Sequence, residues 1–290
     1  MSSPRVIQVV FGNDDARHLV EVLIPSIVDS SSEPVEVWAR NYSNNATKVL
    51  PTIVGSTQIR EFTNDEGRPI GFAENHNYLF NLRDDLRPFV LVNPDCILTH
   101  GSIDQLFHRY QCEKRTPGIV EGRQWPFEHP KEFDPVSFET PWASGAFCLV
   151  DAEFYRSVGG MDETYFMYME DVDLSWRAWL AGWSVIYDQN SVAIHFSGAP
   201  FYRSDLRSSE EYFGLRNFIA LNYKFFGEEG ERYAIDLLKE NYEDLGNTVN
   251  IAIQDYKLNL RQRVQTLGTV VQHPKMKVLG LNQFHKLRIL

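Results

Sequence analysis

The apolar and polar positions change rhythm along the chain. "VIQVVF" (6–11), "VEVW" (35–38), "IREF" (59–62) and "FVLV" (89–92) are short apolar runs that read as buried strands. Between the first two, residues 15–28 set Leu19, Val22, Leu23 and Ile27 at helical spacing. Between the last two, residues 72–82 form a helix after Gly71. Strands that alternate with helices predict βαβ units and a mostly parallel sheet. Residues 117–145, rich in Pro, Phe and Trp, show little periodicity and read as long loops over a pocket. "GAFCLV" (145–150) and "SVIY" (184–187) return to strand, with a short helix in "DAEFYRSVGG". After Gly227 the pattern becomes long and helical.

Composition narrows the class. A hydrophobic share of 43% supports a real core, and 290 residues allow one large or two modest domains. The formal net charge of -11 argues against broad nucleic-acid binding. Three cysteines without metal-ligand spacing, an opening that reaches charge quickly, and no long apolar run predict a soluble, cytosolic protein. The charge is uneven: seven cations and no acid follow residue 255, which leaves -18 on the rest. Leu260, Val264, Leu267 and Val271 recur at helical spacing among those cations. The 256–290 tail therefore either meets an anionic membrane surface peripherally, docks on the acidic body, or forms a homo-oligomer contact, with the last two slightly favoured.

Two stretches carry candidate chemistry. In "FVLVNPDC" an apolar strand runs into Asn93, Pro94 and Asp95, and proline forces a turn. Asp95 then hangs at the C-terminal edge of a central strand, where α/β sheets bind ligands. It can hold Mg²⁺ or Mn²⁺, or it can simply cap the turn. "YMEDVDLSWRAWLAGW" (168–183) crowds Glu170, Asp171 and Asp173 at a helix start. The helix dipole accounts for Glu170, and a surface ion pair to Arg177 accounts for Asp173. Asp171 is less well explained and is a candidate general base. His195, after the apolar "SVAI", is either a polar strand end or a metal ligand near Asp95.

Taken together, "RPIGFAENHN", "FVLVNPDCIL", the stretch 142–198 and "GLRNFIALNYKFFG" resemble family 2 inverting glycosyltransferases. The nearest branch is the rhamnosyltransferase-like enzymes of bacterial surface polysaccharides. That resemblance implies an α/β GT-A fold with a C-terminal helical extension. A nucleotide-sugar half (1–100) and an acceptor half (101–227) would precede a basic extension (228–290). It implies that Asp95, the one carboxylate left in the Asn93-Pro94-Asp95 counterpart of an Asp-x-Asp motif, holds Mg²⁺ or Mn²⁺ together with His195. Asp171, beside Glu170, matches the catalytic base. Gly71, Phe72, Ala73 and Asn77 match the donor-lining segment, and Trp142, Ser144 and Gly145 are expected to line the acceptor side. Two departures stand out. "FGN", with Phe11 and Asn13, replaces the family's usual opening, and Arg40-Asn41 replaces an Asp-Asn that reads the nucleotide base. Arginine accepts no hydrogen bond, so it would meet a phosphate or a different base. The implied partners are a dTDP- or UDP-sugar and a glycan or lipid-linked acceptor. A nucleotidyltransferase and a non-catalytic carbohydrate-binding scaffold are the alternatives.

Overall fold

The computed structural model describes residues 3–44, 46–126, 132–195, 204–241, 246–267 and 273–276, with side chains in the long helix from 211 onward. Its centre is a nine-stranded sheet. The strands are β1 (Arg5–Phe11), β2 (Val35–Asn44), β3 (Ile53–Val54), β4 (Thr57–Asn64), β5 (Phe89–Val92), β6 (Cys96–Leu98), β7 (Ile119–Pro126), β8 (Phe147–Val150) and β9 (Val185–His195). Their order is β3-β4-β2-β1-β5-β8-β7-β9-β6. β4, β2, β1 and β5 run parallel, as do β7 and β9, while β8, β6 and β3 are antiparallel to their neighbours. This is the mixed, mostly parallel sheet flanked by helices that the sequence implied.

Alternation along β1 shows why the sheet is buried on both faces. Ile7, Val9 and Phe11 pack with Leu19, Leu23, Ile27, Ile103 and Leu106 under the helices of 16–29 and Ser102–Cys112. Val6 and Val10 pack the other way, with Ala73, Leu79, Phe80, Phe154, Leu174 and Ala178. Those belong to the helices Phe72–Asn81, Ala152–Ser157 and Glu170–Leu180. Val22 is only half-buried, because the helix widens to a π-turn over Leu19–Leu23.

Two strand expectations need correction. Residues 117–145 are not all loop, since β7 lies inside them and pairs with both β8 and β9. Its polar residues Glu121 and Gln124 are buried, which hid the strand from a hydrophobic reading. "SVIY" and "SVAIH" are one strand, β9, carried through an irregularity in its pairing with β7.

A third core joins the helix Glu170–Leu180 to the C-terminal helices. Trp142, Tyr165 and Trp176 pack against Leu215, Ile219 and Phe225 of the helix Ser204–Asn241, with Val249, Tyr256, Leu260 and Val264. Gly227, at φ 65°, breaks that long helix. The described part of the tail packs on the protein, with Arg261 paired to Glu231 (2.8 Å) and Lys275 to Glu139 (3.0 Å). The buried Leu260 and Val264 are therefore spent internally. Helical geometry ends at Arg263, so Leu267 lies beyond the helix. Val271 and 277–290 lie outside the described residues. Among those described, no helix is long and apolar enough to cross a membrane.

Candidate functional site

The site gathers at the C-terminal ends of β1, β2 and β5, joined by the turn of residues 144–146. Pro94 ends β5, and Cys96 then pairs with His195 of the antiparallel β9. This brings Asp95 Oδ1 to 3.3 Å from His195 Nε2. The other ring nitrogen, Nδ1, is 2.8 Å from Gln124 Oε1. Asn93 Nδ2 lies 3.5 Å from Nε2. Burial works against a charged Asp95, but the hydrogen bond and charge of His195 outweigh it and hold the carboxyl below its ordinary value.

These residues fit a divalent cation. With the Nδ1 proton directed at Gln124, the Nε2 lone pair and a carboxylate oxygen face each other, and only a proton or a cation relieves that opposition. Asp95, Cys96 and His195 offer ligand atoms within 4.8 Å of one another. Cys96 is the poor member, because burial pushes its thiol well above the usual range and Sγ is directed at the Ala146 carbonyl. Hard oxygen plus imidazole suits Mg²⁺ or Mn²⁺ better than a protonated thiol does.

Asp171 lies in the first turn of the helix Glu170–Leu180, half-buried. Its carboxylate accepts N–H bonds from Gly145 (3.1 Å) and Val172 (2.8 Å). A Cβ on Gly145 would lie 3.2 Å from the Phe72 ring and 3.7 Å from Asp171 Cβ, so those three residues converge. One residue on, the Ala146 carbonyl accepts the Asn93 N–H at 2.8 Å. The turn 144–146 thus has the carboxylate on one side and the Asn93–Asp95 loop on the other.

Glu170 differs from its neighbour. It is buried, and its Oε2 has no hydrogen-bond partner among the described residues. Burial, then the charge of Asp171, raise its carboxyl well above the ordinary range. Two adjacent carboxylates in unlike environments divide into a neutral and an anionic member. Asp173 is not on the surface, contrary to expectation. It is fully buried and pairs with both Arg177 (2.5 Å) and Lys224 (2.5 Å). Lys224 also reaches Asp162 (2.6 Å), which ties the helix to the C-terminal bundle.

On the donor side, Asn41 Nδ2 donates to Asn13 Oδ1 at 2.7 Å and joins the ends of β1 and β2. Arg40 is buried with its guanidinium 3.3 Å from the Tyr78 ring centroid, and Glu66 lies 3.8 Å away. Its Nε and Nη1 have no partner among the described residues, and burial lowers its pKa. Gly71 presses on the loop before the acidic helix: Phe72 N donates to the Phe166 carbonyl at 2.9 Å.

Five expected contact residues also have structural duties. Asn77 donates to Met161 O and Glu163 and accepts from Tyr155 Oη and Met161 N, so no hydrogen-bonding position is left for a donor. Ala73 and Phe11 are fully buried core residues. The Trp142 ring is 4% exposed and packs in the third core, while Ser144 N donates to Glu121 at 2.9 Å. Sequence reasoning missed Gln124 and Asn217. Asn217 donates to the carbonyls of Met167 (2.7 Å) and Tyr168 (2.9 Å), just before the acidic helix. Their partners lie 71 and 50 residues away, beyond any local pattern.

No family model matches the chain. It is 29% identical to the N-acetylglucosaminyl-diphospho-decaprenol L-rhamnosyltransferase of Mycobacterium tuberculosis, over 37% of this chain and 46% of that protein. It is 40% identical to rhamnosyltransferase WbbL of Escherichia coli K12, over 23% of this chain and 26% of WbbL. The chain spans less than half the length of these curated relatives. Among solved structures it is similar to GalNAc-T7 with UDP, GalNAc and Mn²⁺, at a TM-score of 0.63 and 12% identity over 90% of this chain and 57% of that one. It is also similar to the mannosyltransferase PcManGT of Pyrobaculum calidifontis with GDP-Man and Mn²⁺, at 0.55 and 12% over 99% and 89%. The sequence likeness to rhamnosyltransferases and the GT-A architecture agree with the resemblance drawn from the motifs.

Proposed function

We propose that the protein transfers a sugar, with inversion, from a nucleotide-diphosphate sugar to a hydroxyl of a glycan or lipid-linked glycan. The observation that carries this reading is the Asp171–Gly145–Phe72 convergence beside the Asp95–His195 pair. Asp171 takes the proton of the acceptor hydroxyl as that oxygen attacks the anomeric carbon from the face opposite the leaving diphosphate. The Gly145 and Val172 N–H groups hold the Asp171 carboxylate in one orientation. Asp95 and His195 would hold a divalent ion, and such an ion supplies charge neutralisation at a leaving diphosphate.

The relatives' names support a rhamnosyl-type donor and, in the mycobacterial protein, a lipid-linked acceptor. Both structural neighbours were solved with a nucleotide or nucleotide sugar and Mn²⁺. Asn13, Asn41, Gly71 and Phe72 line the nucleotide-sugar end in this reading, with Arg40 beside Glu66 at its edge. Ser144 and Gly145 form the acceptor side in this reading, and the described helices after Gly227 form a C-terminal extension. The test is release of nucleoside diphosphate from a panel of dTDP-, UDP- and GDP-sugars with an oligosaccharide or polyprenyl-linked acceptor, with Mn²⁺ or with EDTA. Acceptor-dependent release that EDTA abolishes supports the proposal. Nucleotide binding without turnover on any donor favours the scaffold alternative.

A further inference from the structure

We propose that Gln124 is a positioning residue for the metal site. It fixes His195 in one tautomer, with Nε2 turned toward Asp95, and so sets how tightly the site holds a divalent ion. The inference rests on the metal reading above.

Gln124 is 2% exposed, on a strand parallel to β9. In that register it lies opposite Ala193, two residues from His195, so strand alternation puts both side chains on one face. Its Oε1 is 2.8 Å from Nδ1 of His195. An amide oxygen can only accept, so Nδ1 carries a proton; in the neutral ring Nε2 then keeps its lone pair for a cation, and without a cation a second proton on Nε2 can be shared with Asp95. Nε2 then faces Asp95 Oδ1 at 3.3 Å and the Asn93 amide at 3.5 Å. Three strands set this geometry: β7 supplies the amide, β9 the ring, and β6 is anchored to the ring's backbone through Cys96.

Without Gln124, Nδ1 loses the acceptor that holds its proton, and Asp95 is left to draw a proton to Nε2. His195 is 6% exposed, so a bare Nδ1–H would be left in a nearly dry pocket. Moving that proton to Nε2 relieves it, and a protonated Nε2 cannot ligate a metal. A neutral amide also fixes the tautomer without adding negative charge to a site that already holds Asp95. Partners of this kind behind ligating histidines typically account for about 10- to 100-fold in metal affinity.

The test uses the full chain and Mn²⁺ alone, followed by EPR, with the ¹⁵N spectrum of His195 recorded in metal-free protein. The proposal expects a protonated Nδ1 in the wild type. It expects Gln124→Leu to bind Mn²⁺ about 10- to 100-fold more weakly, and Gln124→Glu, which keeps an acceptor, to bind close to wild type. His195→Ala is the reference for loss of the site. If Mn²⁺ binding depends on His195 but Gln124→Leu binds like wild type, the positioning role is wrong and the metal reading stands. If His195→Ala binds Mn²⁺ as wild type does, both fall. Should Gln124→Leu fail to fold, Gln124→Glu and the wild-type spectrum still decide. Weak binding by the glutamate variant, or a wild-type ring whose Nδ1 carries no proton, overturns the proposal.

Discussion

The backbone N–H of Gly145 donates to Oδ2 of Asp171 at 3.1 Å. Because Ala146, the next residue, accepts from Asn93 at 2.8 Å, a single turn fixes the spacing between the carboxylate and the metal-side loop. The predictions follow from what holds that turn and the acidic helix in place.

Gly71 has no room for a side chain. A Cβ there would lie 2.3 Å from the Phe166 carbonyl oxygen, a backbone atom that cannot swing aside. Gly71→Ala is expected to destabilise the fold by about 1–3 kcal/mol, as overpacking does. Thermal denaturation checks it, and an unchanged melting temperature contradicts it.

Asn217 ties the long C-terminal helix to the carbonyls of Met167 and Tyr168. Tyr168 and Met169 are held at φ 68° and 76°, a left-handed conformation that persists only where the surroundings impose it. Asn217→Ala should lower kcat by about 10- to 100-fold through misplacement of Asp171, with little change in the donor KM. Steady-state kinetics read the split. A rise in KM alone would place Asn217 in binding instead.

Lys224 neutralises the buried Asp173 and the half-buried Asp162. Lys224→Met removes one partner of a buried charge network and should cost about 3–5 kcal/mol. Denaturant unfolding measures the loss, and a change well below that range would show that water reaches the pair.

Glu170 titrates above its ordinary value of 4.5 because it is buried and lies beside Asp171. The native state therefore keeps a proton that the unfolded state gives up, and stability declines as pH rises above that ordinary value. Glu170→Gln cannot ionise, so its melting temperature should gain on wild type as pH rises above 4.5. A gap that stays constant with pH contradicts the assignment. His76 acts in the opposite direction. Burial pushes it down to about 3, so it contributes stability at neutral pH that is lost as pH falls below 6.5.

β1 and β5 were legible because they are buried on both faces and read as near-continuous apolar runs, and β4 because buried and exposed positions alternate along it. β7 was not, because after Ile119 and Val120 it turns to Glu121, Gly122, Arg123 and Gln124. The burial of Glu121 and Gln124 is a tertiary fact. β6 spans only Cys96–Leu98, too short to leave a pattern. Among the site residues, Asp95, His195, Asp171 and Gly145 come together as the motifs implied. Asp173 misled because spacing shows the Arg177 partner but not Lys224, 51 positions away, which completes a buried network. The bonds of Asn77 were equally illegible, since their three partner residues lie in 155–163.

The most direct test of the account is turnover by Asp171→Asn beside its affinity for donor nucleotide and Mn²⁺. The amide keeps the shape of the side chain, and its oxygen can still accept from Gly145, but it cannot take a proton. The account predicts ligand binding near that of wild type and a kcat lower by about 10²- to 10⁴-fold. A folded variant that turns over at the wild-type rate would contradict it.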